Sequence, residues 1–230
     1  MTTTPPGSST AKTHNLVTLT FDRPVTQLQL DQLKFELGAA EAVRVPAAAL
    51  AGYARATQVG FEVSSTPEVG QLLSVLAATV PAGGRILELG TGVGAGLGWI
   101  VHGLGRRDDV AVTSVELDVR LARLVQAAQW PNWVSIVIGD CWDLIGRLGK
   151  FDLIFADIPG KETYDLTGPI AALAPCGVLI IDDIAHAPDE RPERRARLNA
   201  VRQQLFDHPH LVCADLAFSS GVLMAVRRRT

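Results

Sequence analysis

Disulfide bonds are something this chain cannot be built around. It has three cysteines, Cys141, Cys176 and Cys213, far apart and without a CxxC pair. An odd, scattered set reads as free thiols in a reducing compartment and excludes both a disulfide scaffold and a cysteine zinc site. Long apolar runs are missing as well. No stretch approaches the length of a membrane span, and the first residues carry no apolar signal core. The expectation is a cytoplasmic protein with no membrane partner. Excess charge is the third absence. The 21 Lys and Arg against 24 Asp and Glu leave a formal charge of −3, which gives no global electrostatic reason to bind nucleic acid. The Arg227-Arg228-Arg229 run reads as a solvated tail.

What is present is a globular composition, 47% apolar and 20% charged over 230 residues. A chain of that size buries roughly 70–75% of its unfolded surface and needs no cross-link. Residues 1–15, rich in Thr, Ser, Pro and Gly, are expected as a disordered tail. Residues 16–64 are expected as a helical or lid-like extension, with a short strand at 16–21, a helix at 28–37 and a second helix opened by Pro46. A single domain is expected from residue 65 to residue 230. It starts with a helix at Ser65-Thr66-Pro67-Glu68, where Ser65 caps and Glu68 completes a capping box.

From residue 85 the chain alternates as a parallel α/β domain does. Strands are expected at 85–89, 111–117, 134–139, 151–156 and 177–182, and helices at 96–104, 119–129, 143–148 and 167–173. Several strand cores are apolar on both faces, as a sheet covered by helices on each side requires. A longer helix at 192–206 carries Arg194, Arg195, Arg197 and Arg202, with Arg191 just before it, taken together as a solvent face. Residues 211–218 and 222–227 are β-like and separated only by Ser219, Ser220 and Gly221. So short a link cannot cross over a sheet, so these two strands form an antiparallel hairpin.

The chemistry gathers around residues 85–98, reading RILELGTGVGAGLG. An apolar strand breaks into glycines at alternating positions and then into a helix, which is the pattern of a turn that lets a nucleoside cofactor approach the backbone. Glu116 closes the next strand about twenty residues later, where a carboxylate can accept both ribose hydroxyls. Glu88 sits inside the apolar strand; a buried carboxylate needs a partner, and a cationic cofactor would supply one. Gly139-Asp140-Cys141-Trp142 places an acid beside a flat aromatic, suited to an adenine. Taken alone, the glycine turn also satisfies a dinucleotide fingerprint, so an NAD-dependent oxidoreductase and a non-catalytic cofactor-binding protein stay open. The terminal hairpin argues against the ordinary dinucleotide fold.

On Thr66-Pro67-Glu68 with Gly70, Glu88-Leu89-Gly90-Thr91-Gly92-Val93-Gly94, Glu116, Gly139-Asp140, 151–157 and 177–183, the chain resembles the class I S-adenosylmethionine-dependent methyltransferases. Within them it is most similar to the catechol O-methyltransferase-like small-molecule O-methyltransferases. The resemblance implies a Rossmann-like seven-stranded sheet of order 3-2-1-4-5-7-6 with strand 7 antiparallel. It implies a cofactor site of Thr66, Glu88, Gly90, Thr91, Gly92, Gly94, Glu116, Leu117, Asp140, Cys141, Trp142 and Asp157. It also implies a small-molecule acceptor, an oxygen nucleophile methylated by in-line displacement, and a homodimer through the N-terminal helices.

Asp157, Asp182 and Asp183 lie after strands four and five and could make an oxygen-only Mg²⁺ site. The metal-dependent relatives have Asn where this chain has Asp183, and their lysine comes one residue earlier than Lys161. Three carboxylates would leave a divalent ion with excess negative charge, so metal dependence stays open. Lys161 is the leading candidate for acceptor positioning or deprotonation, with Asp157, at the ligand-binding edge of the sheet, as a further catalytic candidate and His186 as an alternative base.

Overall fold

In the computed structural model the described residues are 44–158, 165–186 and 190–229. The expected tail, the strand at 16–21, the helix at 28–37 and the loop carrying Lys161 and Tyr164 lie outside them. The chain order is α1 (Ala47–Val59), α2 (Pro67–Thr79), β1 (Arg85–Leu89), α3 (Ala95–Leu104), β2 (Ala111–Glu116), α4 (Val119–Gln126) and β3 (Val134–Ile138). It continues with α5 (Cys141–Leu148), β4 (Phe151–Ala156), α6 (Thr167–Ala172), β5 (Leu173–Ile181), α7 (Pro192–Phe206), β6 (Leu211–Leu216) and β7 (Val222–Arg227).

The strands join in one seven-stranded sheet of order β3-β2-β1-β4-β5-β7-β6. The pairs β1–β2, β1–β4, β2–β3 and β4–β5 are parallel, while β7 runs antiparallel to both β5 and β6. The sheet is thus the expected one. Its parallel part follows from side chains that are apolar on both faces: Ile86, Leu153 and Phe155 enter one core, and Leu87, Leu89 and Ile154 enter the other. The first core is covered by α1, α2 and α3, the second by α5, α6 and α7. Its antiparallel edge follows from the short link, where Ser219 and Gly221 take φ of 52° and 82° and reverse the chain. No helix among the described residues is long and apolar enough to cross a membrane.

Three local expectations need correction. The cap of α2 is Thr66, whose hydroxyl accepts from Val69 N–H at 3.3 Å, with Pro67 in the first turn. Ser65 is one residue too early for that role, and its hydroxyl is used elsewhere. The basic C-terminus is not wholly a solvated tail: Arg227 closes β7 and donates from Nη1 to the Leu173 carbonyl. Nor is the arginine face of α7 all solvent. Arg202 donates to Asp215 Oδ2 at 2.6 Å and to Ile184 O at 2.7 Å, which ties α7 to β6 and to the segment after β5.

Candidate functional site: an acidic cavity at the strand ends

Where β1 runs into the glycines, the turn is fixed by bonds to β2. Gly90 and Thr91 N–H groups both donate to Val115 O, at 2.9 and 3.2 Å, and Gly94 N–H donates to Thr91 O at 2.8 Å. Gly90 has φ of 92°, and a Cβ there would lie 2.2 Å from the Asp157 carbonyl oxygen, so only glycine fits. Glu116, last in β2, closes the turn from the other side. Its Oε2 accepts from Gly92 N–H at 2.7 Å and its Oε1 from Asp118 N–H at 2.8 Å. Two backbone donors hold this carboxylate in one orientation, with lone pairs left for a ligand.

Glu88 is only 1% exposed. Its Oε2 accepts from the Ser114 hydroxyl, which leaves the Thr91 hydroxyl as donor to Ser114. Burial pushes the Glu88 carboxyl up to about 8; Ser114 offsets part of this, and the Asp157 and Glu116 carboxylates add to the rise.

These groups line a cavity of about 700 Å³ across the C-terminal ends of the first four strands. The β1 turn contributes Gly90, Thr91 and Gly92, β2 contributes Glu116 and Leu117, and the start of α5 contributes Asp140, Cys141 and Trp142. Asp140 caps α5 by accepting from Trp142 N–H at 2.8 Å. Burial pushes the Cys141 thiol up to about 11, so at neutral pH it is an apolar wall rather than a nucleophile. Among the described residues, six carboxyl groups line the cavity (Glu88, Glu116, Asp118, Asp140, Asp157 and Asp183) against one cation, Arg194. Such a wall suits a ligand carrying positive charge. A neighbouring cavity of about 600 Å³ lies between α1 and α2 and shares Phe61, Ser64 and Ser65 with the first.

Asp157 faces the main cavity and accepts from the Ser65 hydroxyl at 2.9 Å. Asp182 is buried, and its Oδ1 accepts from the Ser220 hydroxyl and, at 2.7 Å, from Asp183 N–H. Asp183 is exposed, with φ of 55°. Of the three acids expected as metal ligands, Asp157 and Asp183 line the cavity, while Asp182 is engaged by Ser220 and by Asp183 N–H. No group of three or more His, Cys, Asp or Glu able to hold a metal occurs among the described residues. His186 is drawn to α7 instead of the cavity. Its Nε2 lies 3.1 Å from Asn199 Oδ1, and its Nδ1 lies 3.5 Å from Glu190.

No protein-family model matches the chain. A candidate O-methyltransferase of Mycobacterium tuberculosis is 30% identical over 186 residues, covering 75% of this chain and 81% of that protein. The chain belongs to the class I S-adenosylmethionine-dependent O-methyltransferases. A further mycobacterial relative, from Mycobacterium ulcerans, is 28% identical over 186 residues. Among solved structures, the O-methyltransferase TomG of Streptomyces achromogenes, involved in tomaymycin synthesis and complexed with S-adenosylmethionine, matches at a TM-score of 0.70. It is 17% identical, over 89% of this chain and 100% of its own. The Podospora anserina methyltransferase PaMTH1, bound to S-adenosylhomocysteine, matches at 0.68, with 19% identity over 92% of this chain and 100% of its own. At those identities the likeness is one of fold.

In this methyltransferase two residues expected at the cofactor do not line the main cavity. Thr66 is occupied with capping α2 and with a 2.6 Å bond to the Ser219 hydroxyl, and it lines the second cavity. Gly94 is turned away from the main cavity, since a Cβ there would meet Val125, Arg55 and Trp130 behind the turn. Sequence reasoning missed Phe61, Ser65 and Arg194 as lining residues. Phe61 lies against the glycine turn, 3.2 Å from where a Gly92 Cβ would stand. Arg194 is held by both Glu190 oxygens at 2.7 Å. No motif announces any of the three, because each reaches the cavity from a distant segment.

Proposed function

We propose that the main cavity seats S-adenosylmethionine and that the chain transfers its methyl group to an oxygen of a small-molecule acceptor. The observation that carries this reading is the buried Glu88 carboxylate in an acidic cavity closed by a glycine turn. The Ser114 hydroxyl offsets only part of the cost of burying that acid, and a positive charge beside it would favour the anion further. When bound, the cofactor supplies a methyl group already activated on a cationic sulfur. Glu116, fixed by two backbone donors, would accept the ribose hydroxyls. Asp140 and Trp142 would enclose the adenine against the Cys141 wall. Glu88, with Ser114 and Thr91 behind it, would face the methionine portion.

What remains for the chain is to place a nucleophilic oxygen in line with the methyl group and to hold the departing proton. Asp157, oriented by the Ser65 hydroxyl, is our candidate for holding the acceptor hydroxyl. Phe61, Ser64 and Ser65, shared with the second cavity, would form the acceptor's approach. Lys161 stays a candidate base. His186, tied to α7, is a poorer one. Among the described residues no group of three or more acids, His or Cys is arranged to hold a metal, so no step is assigned to a metal.

The test is isothermal titration of the purified chain with S-adenosylhomocysteine and, separately, with NAD. Micromolar binding of the first and none of the second is expected, together with transfer of labelled methyl from S-adenosylmethionine to phenolic compounds. Binding of NAD alone would overturn the reading and favour the oxidoreductase alternative.

A further inference from the structure

Behind the glycine turn, on the side away from the cavity, lies a buried cation that the reading above does not use. Arg55 belongs to α1 and is 7% exposed. Its Nε–H donates to the Val93 carbonyl at 2.8 Å. Its guanidinium carbon stands 6.0 Å from the centre of the Trp130 ring, at the outer limit of a cation–π contact. Its Nη2 is buried without a hydrogen-bond partner among the described residues. Burial lowers the guanidinium towards about 10. An unpaired, desolvated charge of this kind detracts from stability, and an apolar side chain of similar length would avoid the cost. Packing alone therefore does not account for an arginine here. What it adds over an apolar chain, besides the long contact with Trp130, is a donor aimed at Val93 O.

Val93 sits between Gly92 and Gly94, which take φ of 53° and 79°, a region that glycine enters without strain. Its carbonyl orients the peptide plane that enters α3. The same helix α1 meets the turn at two further points: Gly52 lies against the Gly94–Ala95 backbone, and Phe61, just past the end of α1, lies against Gly92. We propose that Arg55 is a positioning residue for the cofactor turn, its Nε–H holding the Val93 carbonyl so that residues 90–94 keep the shape that receives the cofactor. The donor carries this role and the positive charge does not. The inference rests on the cavity being the S-adenosylmethionine seat. If the turn loses its outside tether, the competent shape becomes a fraction of the population, and apparent affinity falls by that fraction.

The side-chain geometries of three variants separate donor from charge. Arg55→Gln puts an uncharged N–H where Nε stands. Arg55→Met keeps length without a donor. Arg55→Lys keeps charge but puts a methylene where Nε stood. Full-length chains are titrated calorimetrically with S-adenosylhomocysteine, with thermal denaturation alongside. The Gln variant is expected to bind within about threefold of the parent, and the Met and Lys variants about tenfold or more weakly. A Lys variant that binds like the parent, or a Gln variant as weak as the Met variant, shows that the charge matters and overturns the proposal. Equal binding by the parent and all three overturns it as well, whatever the melting temperatures do. Should the Met variant not fold, the Gln and Lys variants still decide. A parent that binds no S-adenosylhomocysteine overturns the cavity reading and this inference with it; unchanged binding by the variants of a parent that does bind overturns this inference alone.

Discussion

Glu88 joins the fold to the chemistry through a single proton. Its carboxyl is raised from the ordinary 4.5 to about 8, chiefly by burial, so the folded chain favours the neutral form. The stability contributed by that neutral form is complete below the ordinary carboxylate value and is lost as pH rises through about 8. A cation in the cavity acts in the opposite sense and favours the anion. Two outcomes follow for the ligand-free and the bound protein. Glu88→Gln, which cannot ionise, is expected to gain in melting temperature relative to the parent as pH goes from 6 to 9. S-adenosylmethionine affinity in the parent is expected to rise by up to about tenfold per pH unit below 8, and to lose most of that rise in Glu88→Gln. Titrations at pH 6.5, 7.5 and 8.5 would measure it.

At the scale of elements, the cofactor turn depends on how closely α1 approaches α3. A Cβ on Gly52 would lie 2.6 Å from Ala95 Cα, and one on Gly98 would lie 2.4 Å from Ala49 N. These are backbone atoms, which cannot yield as a side-chain tip can. Helix propensity alone favours Gly52→Ala by about 1 kcal/mol, whereas forcing apart two packed backbones costs about 1–3 kcal/mol. The second effect is expected to win, lowering the urea midpoint and loosening the turn with it. Gly146 in α5 supplies the contrast. Nothing lies within 4 Å of a Cβ there, so Gly146→Ala is expected to stabilise by about 0.5–1 kcal/mol. Local propensity decides that site, and contact decides Gly52.

At the scale of the whole molecule, metal dependence is the question that the resemblance left open. The sequence puts Asp157, Asp182 and Asp183 after neighbouring strands, but the folded chain commits them differently. Asp157 accepts from Ser65, Asp182 is turned towards Ser220 and Asp183 N–H, and Asp183 lies exposed. Activity is therefore expected to be unchanged after exhaustive chelation with EDTA and to gain nothing from added Mg²⁺. A rate that falls on chelation and returns with the metal would refute this. The same contrast applies to the arginines of α7. Their spacing reads as a solvent face, yet Arg194 enters the cavity and Arg202 bonds Asp215 and Ile184.

Much of the fold was legible because its signals are local. Apolar strand cores, glycines needing positive φ, and a three-residue link too short for a crossover each act within a few residues, and resemblance supplied the strand order. The part of the cavity that we propose for the cofactor was legible for the same reason: Glu88, Glu116 and Asp140 lie at or beside the C-terminal ends of parallel strands, so their place along the chain fixes their place on one sheet edge. Phe61, Ser65, Arg194 and Arg55 were not legible. They reach the turn from α1, from the link before α2 and from α7, across separations that no spacing encodes. The sequence by itself determined the strands, the turn and the acids that line the cavity beside it. Only tertiary packing decided what stands behind the turn and how the acids beyond β4 and β5 are engaged. Those depend on which side chains of distant segments arrive at the same few ångströms.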